Sequence, residues 1–338
     1  MGVVRVLLAL AVVFGHAPGW GAINPSYFHP ISPYYSVQAF FVISGFYMGL
    51  LREQYFGSTA VFYTNRYSRL IVSYGIVVSS TLAAAAIWPE NPFPFINYSP
   101  DSTAAAALLM VSNLTLFGMD IVELVSPVLS HGLVVPQGWS LAAELWFYVL
   151  TPLLWRLSTK QLVRVLIASA LVRAILVLSP LPFFPWQQRF FPAELMFFLI
   201  GMLAYRLSPG ICRMMPPGRI MLPFCVLSLC FFCSVVTDQR WWGSLLVGGL
   251  MFVSIPPVFA TSRKSKIDRF IGEFSYPIYL WQVCIGYFAS PLVAQWGSAF
   301  LIAGSALAAA PLVVFVERPL ERWRQRRLVE MKRVSAVA

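Results

Sequence analysis

Long and nearly uninterrupted apolar runs dominate the chain. A helix needs about 20 residues to cross the ~30 Å hydrocarbon layer of a membrane. Ten runs approach that length, at residues 3–20, 34–51, 68–88, 141–157, 162–180, 190–207, 219–237, 241–260, 274–294 and 297–316. They are continuously apolar, whereas the strands of a membrane barrel alternate with period two. The pattern therefore predicts an all-α fold, a polytopic membrane helix bundle with about ten transmembrane helices.

The composition supports this prediction. Apolar residues make up 59% of the 338 positions and charged residues only 11%, against about 25% charged residues in soluble globular proteins. So few charges cannot form the polar shell of a soluble fold. No repeat period or polar tract is present, which excludes collagen, coiled-coil and disordered classes.

The positive charges are distributed unevenly along the chain. With ten spans both termini lie on one side, and of the 24 basic residues only Arg189 and Arg240 then fall in the opposite loops, while Arg173 lies inside a span. The positive-inside rule therefore predicts that both termini are cytoplasmic. The net charge of +11 is explained by topology, so no nucleic-acid partner is expected.

The organisation predicted from the loops is simple. Residues 1–320 form one membrane domain, and residues 321–338 a basic cytoplasmic tail. The first span follows Arg5 like a signal peptide, but no A-x-A cleavage site follows it, so we expect it to stay uncleaved. The apolar run at residues 104–117 is too short to span and predicts an interfacial or re-entrant helix.

Neither the cysteines nor the histidines predict a metal site. Cys230 and Cys233 have the spacing of a redox or metal pair, but they lie in a predicted span without a nearby histidine. We interpret them as small membrane-buried side chains. The only histidines are His16, His29 and His131, and we expect no bound metal or cofactor.

The first span carries Arg5 and His16, eleven positions apart. At 100° per residue this spacing is only about 20° from three full turns, so both side chains share one helix face, ~16 Å apart along the axis. A neutral imidazole can act as a general base on an alcohol. The alternative is a hydrogen-bonded histidine that serves packing.

Two further groups lie at the second and third spans. Ser44-Gly45, in an apolar helix, allows close approach of another backbone, either for ligand contact or as a helix crossing. Arg66 and Arg69, at i,i+3, are predicted to share a face at the cytoplasmic end of the third span. Guanidinium groups bind phosphate oxygens in a planar geometry, although simple positive-inside anchors explain the pair equally well.

The fourth group is the segment Trp139–Tyr148. We expect Ser140 to cap a helix and Glu144 to lie in its first turn, where the helix dipole favours a carboxylate. Glu144 and Tyr148 share a face at i,i+4. Capping explains Ser140 fully but Glu144 only in part.

Together these motifs resemble those of acyltransferase family 3, integral membrane proteins that are mainly bacterial. The resemblance covers nearly the whole chain. It is carried, in the family's order, by Arg5-x10-His16, Phe40–Phe46, Arg66-x-x-Arg69, Trp139–Tyr148, Phe274–Trp281 and Glu317-Arg318-Pro319. Two departures are visible: Gln282 stands where the family often has histidine, and the usual aspartate before the first arginine is missing.

The resemblance implies transfer of an acyl group, expected to be acetyl, from cytosolic acyl-CoA to a hydroxyl of a surface glycan or its lipid-linked precursor. The protein would lie in the bacterial inner membrane, with acyl-CoA as co-substrate, and O-acetylation would serve polysaccharide biosynthesis. The implied roles are catalysis by His16, Arg5 and Glu144, donor binding by Arg66, Arg69 and Ser44, and acceptor binding by Trp139, Tyr148, Tyr276 and Tyr279.

These roles carry geometric expectations. Glu144 would pair with His16 or bind the sugar, and His16 would either deprotonate the acceptor or carry the acyl group briefly. His16 and the arginine pair would frame one tunnel that donor and acceptor enter from opposite faces. A transporter or flippase is the alternative, favoured by Arg173 and Glu194 inside predicted spans. A non-catalytic membrane scaffold is a third reading.

Overall fold

The computed structural model describes residues 1–22, 32–55, 58–88, 93–215, 218 and 240–337. Over these residues the chain is all-helical. We number the α-helices α1 Gly2–His16, α2 Pro33–Tyr55, α3 Thr59–Ile87, α4 Thr103–Thr115, α5 Val122–Val125, α6 Trp139–Arg156, α7 Thr159–Leu178, α8 Phe191–Arg206, α9 Ser208–Met214, α10 Arg240–Ser262, α11 Lys266–Glu273, α12 Ser275–Phe288, α13 Ser290–Leu312 and α14 Arg318–Val337.

Within the described residues, six helical segments are long and apolar enough to cross a membrane, or seven if the pair α8–α9, bent by 73°, forms one span. The six contain α1, α2, α3, α7, α10 and α13. The protein is therefore a multi-pass membrane helix bundle. The count of ten is not confirmed: the predicted spans 141–157 and 274–294, which correspond to α6 and α12, are not among these segments, and the predicted span 219–237 lies outside the described residues. The orientation of the termini stays a prediction.

Helices α2 and α8 form the most extensive helix–helix contact described in the bundle, and glycines make it possible. A Cβ atom on Gly45 would lie 1.9 Å from the carbonyl oxygen of Phe198, and one on Gly201 would lie 1.9 Å from that of Val42. Only hydrogen fits at either position. The close approach expected at Ser44-Gly45 is thus confirmed for Gly45, while Ser44, one residue earlier, points away towards α6.

Helix α1 is fixed at its start by α11. The carboxylate of Asp268 accepts hydrogen bonds from the backbone N–H groups of Gly2, at 2.8 Å, and Val3, at 3.0 Å. These donors have no partner inside their own helix, so a carboxylate satisfies them and favours the positive end of the helix dipole. Burial opposes ionisation, but these donors and the Met1 ammonium hold the pKa of Asp268 below its usual range.

The last two helices are joined without a loop. The π-helical turn Val313–Glu317 connects α13 to α14. Helix α14 begins at Arg318, so the predicted tail, residues 321–338, continues a helix that starts inside the predicted membrane domain. Most of the apolar run at residues 104–117 forms the short helix α4, while its interfacial or re-entrant position stays a prediction.

Candidate functional site

A cavity of about 90 Å³ lies between α1, α2, α3, α6 and α12. Its lining combines charged, hydroxyl-bearing and aromatic side chains, among them Arg5, Ser44, Tyr47, Arg69, Ser140, Glu144, Tyr148, Tyr276 and Tyr279. This volume holds several water molecules. Residues far apart in sequence thus meet at one space inside the bundle.

The carboxylate of Glu144 is held by two hydroxyl groups. Its Oε1 accepts a hydrogen bond from Ser44 on α2, at 2.6 Å, and one from Tyr148, one turn later on α6, at 2.5 Å. Such charge-assisted bonds are short and strong. Tyr148 is buried, so its ring also fixes the position of the carboxylate.

Two expectations about this helix are wrong. Helix α6 begins at Trp139 after Gly138, and Ser140 does not cap it. Instead, the Ser140 hydroxyl lies 2.7 Å from that of Tyr279 and 3.3 Å from the Gln137 carbonyl oxygen. Glu144 consequently lies in the second turn of α6, beyond the reach of the free N–H groups at the helix start.

Arg5 and Arg69 bring positive charge to the same cavity. Arg5 is attracted by Glu144 and repelled by Arg69, which is itself attracted by Glu144 and by Glu317. Glu317 accepts a hydrogen bond from Ser73 at 2.5 Å. Burying like charges together is costly unless carboxylates or a ligand offset them. The cavity therefore brings two guanidinium groups together with nearby carboxylates, a mixed set of charges inside the bundle.

The tyrosines present their rings to the cavity while their hydroxyl groups are bound elsewhere. Tyr276 donates to the carbonyl oxygen of Leu70 at 2.7 Å, and Tyr279 donates to that of Gln137 at 2.8 Å. Both hydroxyl groups thus already have an acceptor within the protein. The cavity lining does not include Trp139, whose ring lies 5.5 Å below the guanidinium of Arg189.

His16 is bound to Gln282 rather than to Glu144. Its Nδ1 lies 3.2 Å from Gln282 Oε1, while Gln282 Nε2 donates to the Tyr279 carbonyl oxygen at 3.1 Å. Because that bond fixes the amide, Oε1 must accept and Nδ1 must donate. The neutral ring therefore keeps its lone pair on Nε2, the atom a general base needs. Sequence reasoning had noted Gln282 only as a departure, although its i,i+3 spacing from Tyr279 places both on one face.

The predicted pair Arg66 and Arg69 is divided. Arg69 lines the cavity, whereas the cavity lining includes neither Arg66 nor His16. Arg66 is buried, at 8% exposure. His16 is connected to the cavity through hydrogen bonds, since Tyr279 both lines the cavity and accepts from Gln282. The described cavity thus covers the arginine side of the predicted tunnel and stops short of the histidine.

A further pair of charged residues, Arg189 and Glu123, lies near His16. The charge of Arg189 acts on the imidazole, and Arg189 forms an ion pair with Glu123 at 2.6 Å. Sequence reasoning used Arg189 only for topology. One sequence signal could have marked Arg189 as a neighbour of His16. Arg189 lies in a short loop between two predicted spans, and that loop is predicted on the same outer side as the end of the first span.

Comparison with known proteins agrees with this geometry. A family model described as an acyltransferase domain, that of acyltransferase family 3, matches residues 1–316. Searches of curated proteins and of solved structures found no match. Since the family model covers far more than half of a chain that also forms a membrane helix bundle, this protein belongs to acyltransferase family 3 and is a membrane acyltransferase.

Proposed function

We propose that the protein transfers an acyl group, in the first instance acetyl, from cytosolic acyl-CoA to a hydroxyl of a cell-surface glycan or its lipid-linked precursor. One observation carries the proposal: Arg5, Arg69 and Glu144, from three helices, line one cavity inside the bundle. Membrane interiors tolerate such charges where they serve a ligand or reaction. The proposed location is the bacterial inner membrane, whose inner face is in contact with cytosolic acyl-CoA.

The donor side of the proposal rests on the cations. An acyl-CoA carries phosphates at one end and a thioester at the other, so its reactive end enters deepest when the phosphates stay at the membrane surface. Arg69 lies in the first half of α3, near the end of the bundle that carries the start of α1 and α11. Arg5 lines the same cavity and would orient the thioester.

The acceptor side of the proposal rests on His16. Its Nε2 would take the proton of the acceptor hydroxyl while the oxygen attacks the thioester carbonyl carbon. The carbon–sulfur bond breaks, the sulfur leaves as thiolate and takes up a proton, and an oxygen ester and free CoA result. In the variant in which His16 carries the acyl group, Nε2 attacks the thioester carbonyl carbon, the carbon–sulfur bond breaks and CoA leaves as the protonated thiol. The acceptor hydroxyl then attacks the acyl-imidazole, which forms the oxygen ester and releases the neutral ring. In either variant Trp139 and Arg189 would contact the sugar, since Arg189 lies near His16 and its guanidinium lies over the Trp139 ring.

The alternative of a transporter loses its main support from the structure. Arg173 and Glu194, the intramembrane charges that favoured it, form an ion pair at 2.9 Å and are each only 1% exposed. A paired and enclosed charge serves the fold rather than a passing substrate. The acyltransferase proposal remains the better supported function.

The test replaces His16 with alanine in the full-length purified protein. We expect thioester consumption from acetyl-CoA, with the glycan acceptor present, to fall by a factor of about 100 to 10,000, the usual contribution of a general base. His131→Ala is the matched control because His131 is exposed in the loop before α6. Retained activity in His16→Ala would remove His16 from the mechanism, and intact acetyl-CoA with every protein would favour a carrier.

A further inference from the structure

Helix α14 packs into the bundle through one of its faces. Arg324 and Leu328, one turn apart, are 5% and 7% exposed. The amide of Asn65 on α3 donates to the carbonyl oxygen of Arg324 at 3.4 Å and to the hydroxyl of Tyr55 at 3.1 Å. The arginine-rich helix therefore is not a free surface helix here but is attached beside Arg66.

The guanidinium of Arg324 is buried, and only some of its N–H donors are bound. Its Nη2 forms an ion pair with Glu321, one turn earlier. Within the part of the chain that the structure describes, Nε and Nη1 of Arg324 and Nε of Arg66 are buried without a hydrogen-bond partner. Buried donors on a charged group are costly when they stay unbound. These three donors point to an anionic partner from outside the fold.

The surrounding charges favour the same conclusion. Arg66 and Arg69 both repel Arg324, so three guanidinium groups from two helices meet in a largely buried place. Glu321 offsets them only in part, because its side chain is half exposed and also accepts a hydrogen bond from Gln325 at 2.6 Å. A multiply charged anion would offset the remaining repulsion.

Arg69 connects this cluster to the cavity. It lines the cavity, and it is attracted by Glu144 on the cavity side and by Glu321 on the α14 side. An anion held between Arg66 and Arg324 would consequently lie next to the cavity, at the end of the bundle from which the donor is proposed to enter.

We propose that Arg324, together with Arg66, binds a phosphate group of the acyl donor, so that α14 forms part of the donor site. The inference rests on the proposed function and deepens it. Guanidinium groups suit this ligand because their planar donors match phosphate oxygens. Arg324 lies beyond residues 1–316, the part matched by the family model. The assignment therefore comes from this chain's own contacts.

The experiment compares two ligands on the full-length protein in nanodiscs of neutral phosphatidylcholine. CoA carries the phosphates, whereas pantetheine has the same thiol arm without them. Arg324→Ala should weaken CoA binding by about 10- to 100-fold, the usual loss for hydrogen bonds to charged groups, and leave pantetheine binding unchanged. Arg326→Ala, an exposed position on the same helix, removes the same charge and should leave both affinities unchanged.

A second variant protects the test against misfolding of the first. Glu321→Gln frees the guanidinium of Arg324 and removes a competing negative charge, so CoA should bind several-fold more tightly while pantetheine binding stays constant. The proposal is overturned if folded Arg324→Ala binds CoA like Arg326→Ala. It is also overturned if both ligands weaken equally, or if Glu321→Gln weakens CoA binding.

Two further measurements are needed. One distinguishes a lipid phosphate from a CoA phosphate, and the other distinguishes failure of this inference from failure of the proposed function. If anionic phosphatidylglycerol stabilises the wild type but not Arg324→Ala while CoA affinity is equal, the cluster holds a lipid headgroup and the proposal is wrong. If the wild type binds no CoA, the acyl-CoA function fails. Pyrophosphate binding that depends on Arg324 would then still support the phosphate site itself.

Discussion

The bundle contains two groups of buried charge that look alike in sequence and differ in structure. Arg173 on α7 and Glu194 on α8 form a direct ion pair at 2.9 Å. Arg173 also donates to the hydroxyl of Tyr34 and to that of Ser244, the latter at 3.4 Å. We call this group closed because its two charges pair with each other and it does not border the cavity. Arg173 Nε and Glu194 Oε2 are buried beside this pair without a further hydrogen-bond partner among the described residues.

The group formed by Arg5, Arg69 and Glu144 is open. Among the described residues, neither arginine forms a direct ion pair with Glu144, whose hydrogen bonds come from the hydroxyl groups of Ser44 and Tyr148. All three charges face the cavity. The difference teaches how to interpret a charge inside the membrane. A charged group that faces a cavity indicates function, whereas a charged group that is paired with an opposite charge indicates a contribution to stability.

The largest expected effect comes from breaking the closed group. Arg173→Ala leaves Glu194 buried without its partner, and we expect a loss of about 3–5 kcal/mol in the free energy of unfolding. Replacing both residues with apolar side chains, Arg173→Met with Glu194→Leu, should recover most of that loss and preserve acyl transfer. Unfolding in detergent and turnover of acetyl-CoA measure the two effects. A double variant as unstable as the single one would contradict the closed-pair interpretation.

The open group should respond in the opposite way. Arg69→Ala removes a cation that faces the cavity, so we expect kcat/KM for acetyl-CoA to fall about 10- to 100-fold. Repulsion from the neighbouring arginines partly offsets the attraction of Arg69 by the neighbouring carboxylates, so the thermal stability should fall less than in Arg173→Ala. Arg164→Ala, an exposed arginine on α7, is the control and should alter neither quantity. A strongly destabilised Arg69→Ala with normal kinetics would make the open group structural.

Much of the fold follows from hydrophobic length alone. The predicted spans at residues 3–20, 34–51, 68–88, 162–180, 241–260 and 297–316 correspond to helical segments long and apolar enough to cross the membrane. The predicted span 274–294 is divided, because the chain breaks at Ala289 between α12 and α13. Hydropathy averages over a window and does not register such a break.

The site was predictable where a charge in an apolar run is itself the signal. Arg5, Arg69 and Glu144 stand out in this way, and the structure brings them together. The i,i+3 rule was less informative for Arg66, since residues three apart still differ by about 60° around the helix, enough for one to face the cavity and the other α14. Arg324 could not be singled out, because its burial depends on contacts with α3 that a basic amphipathic pattern does not reveal.

Asp120 offers a third arrangement, a buried carboxyl that neither borders the cavity nor has an ion-pair partner among the described residues. It is 3% exposed and accepts a hydrogen bond from the indole of Trp146 at 3.3 Å. Burial raises the pKa of this carboxyl to about 6, although its backbone and Trp146 hydrogen bonds oppose the shift. The folded protein thus holds a proton that the unfolded chain releases at lower pH.

The smallest effect follows from that proton. Because the folded pKa lies above the unfolded value of 3.8, the contribution of Asp120 to stability is largest below about pH 4 and is lost as the pH rises through about 6. Asp120→Asn should therefore be more stable than the wild type at neutral pH, by about 1–3 kcal/mol, and equal to it in acid. Unfolding midpoints measured across this range check the prediction, with Asp101→Asn as the exposed control. A wild-type curve parallel to that of Asp120→Asn would show that this carboxyl is already satisfied, like those of the closed group.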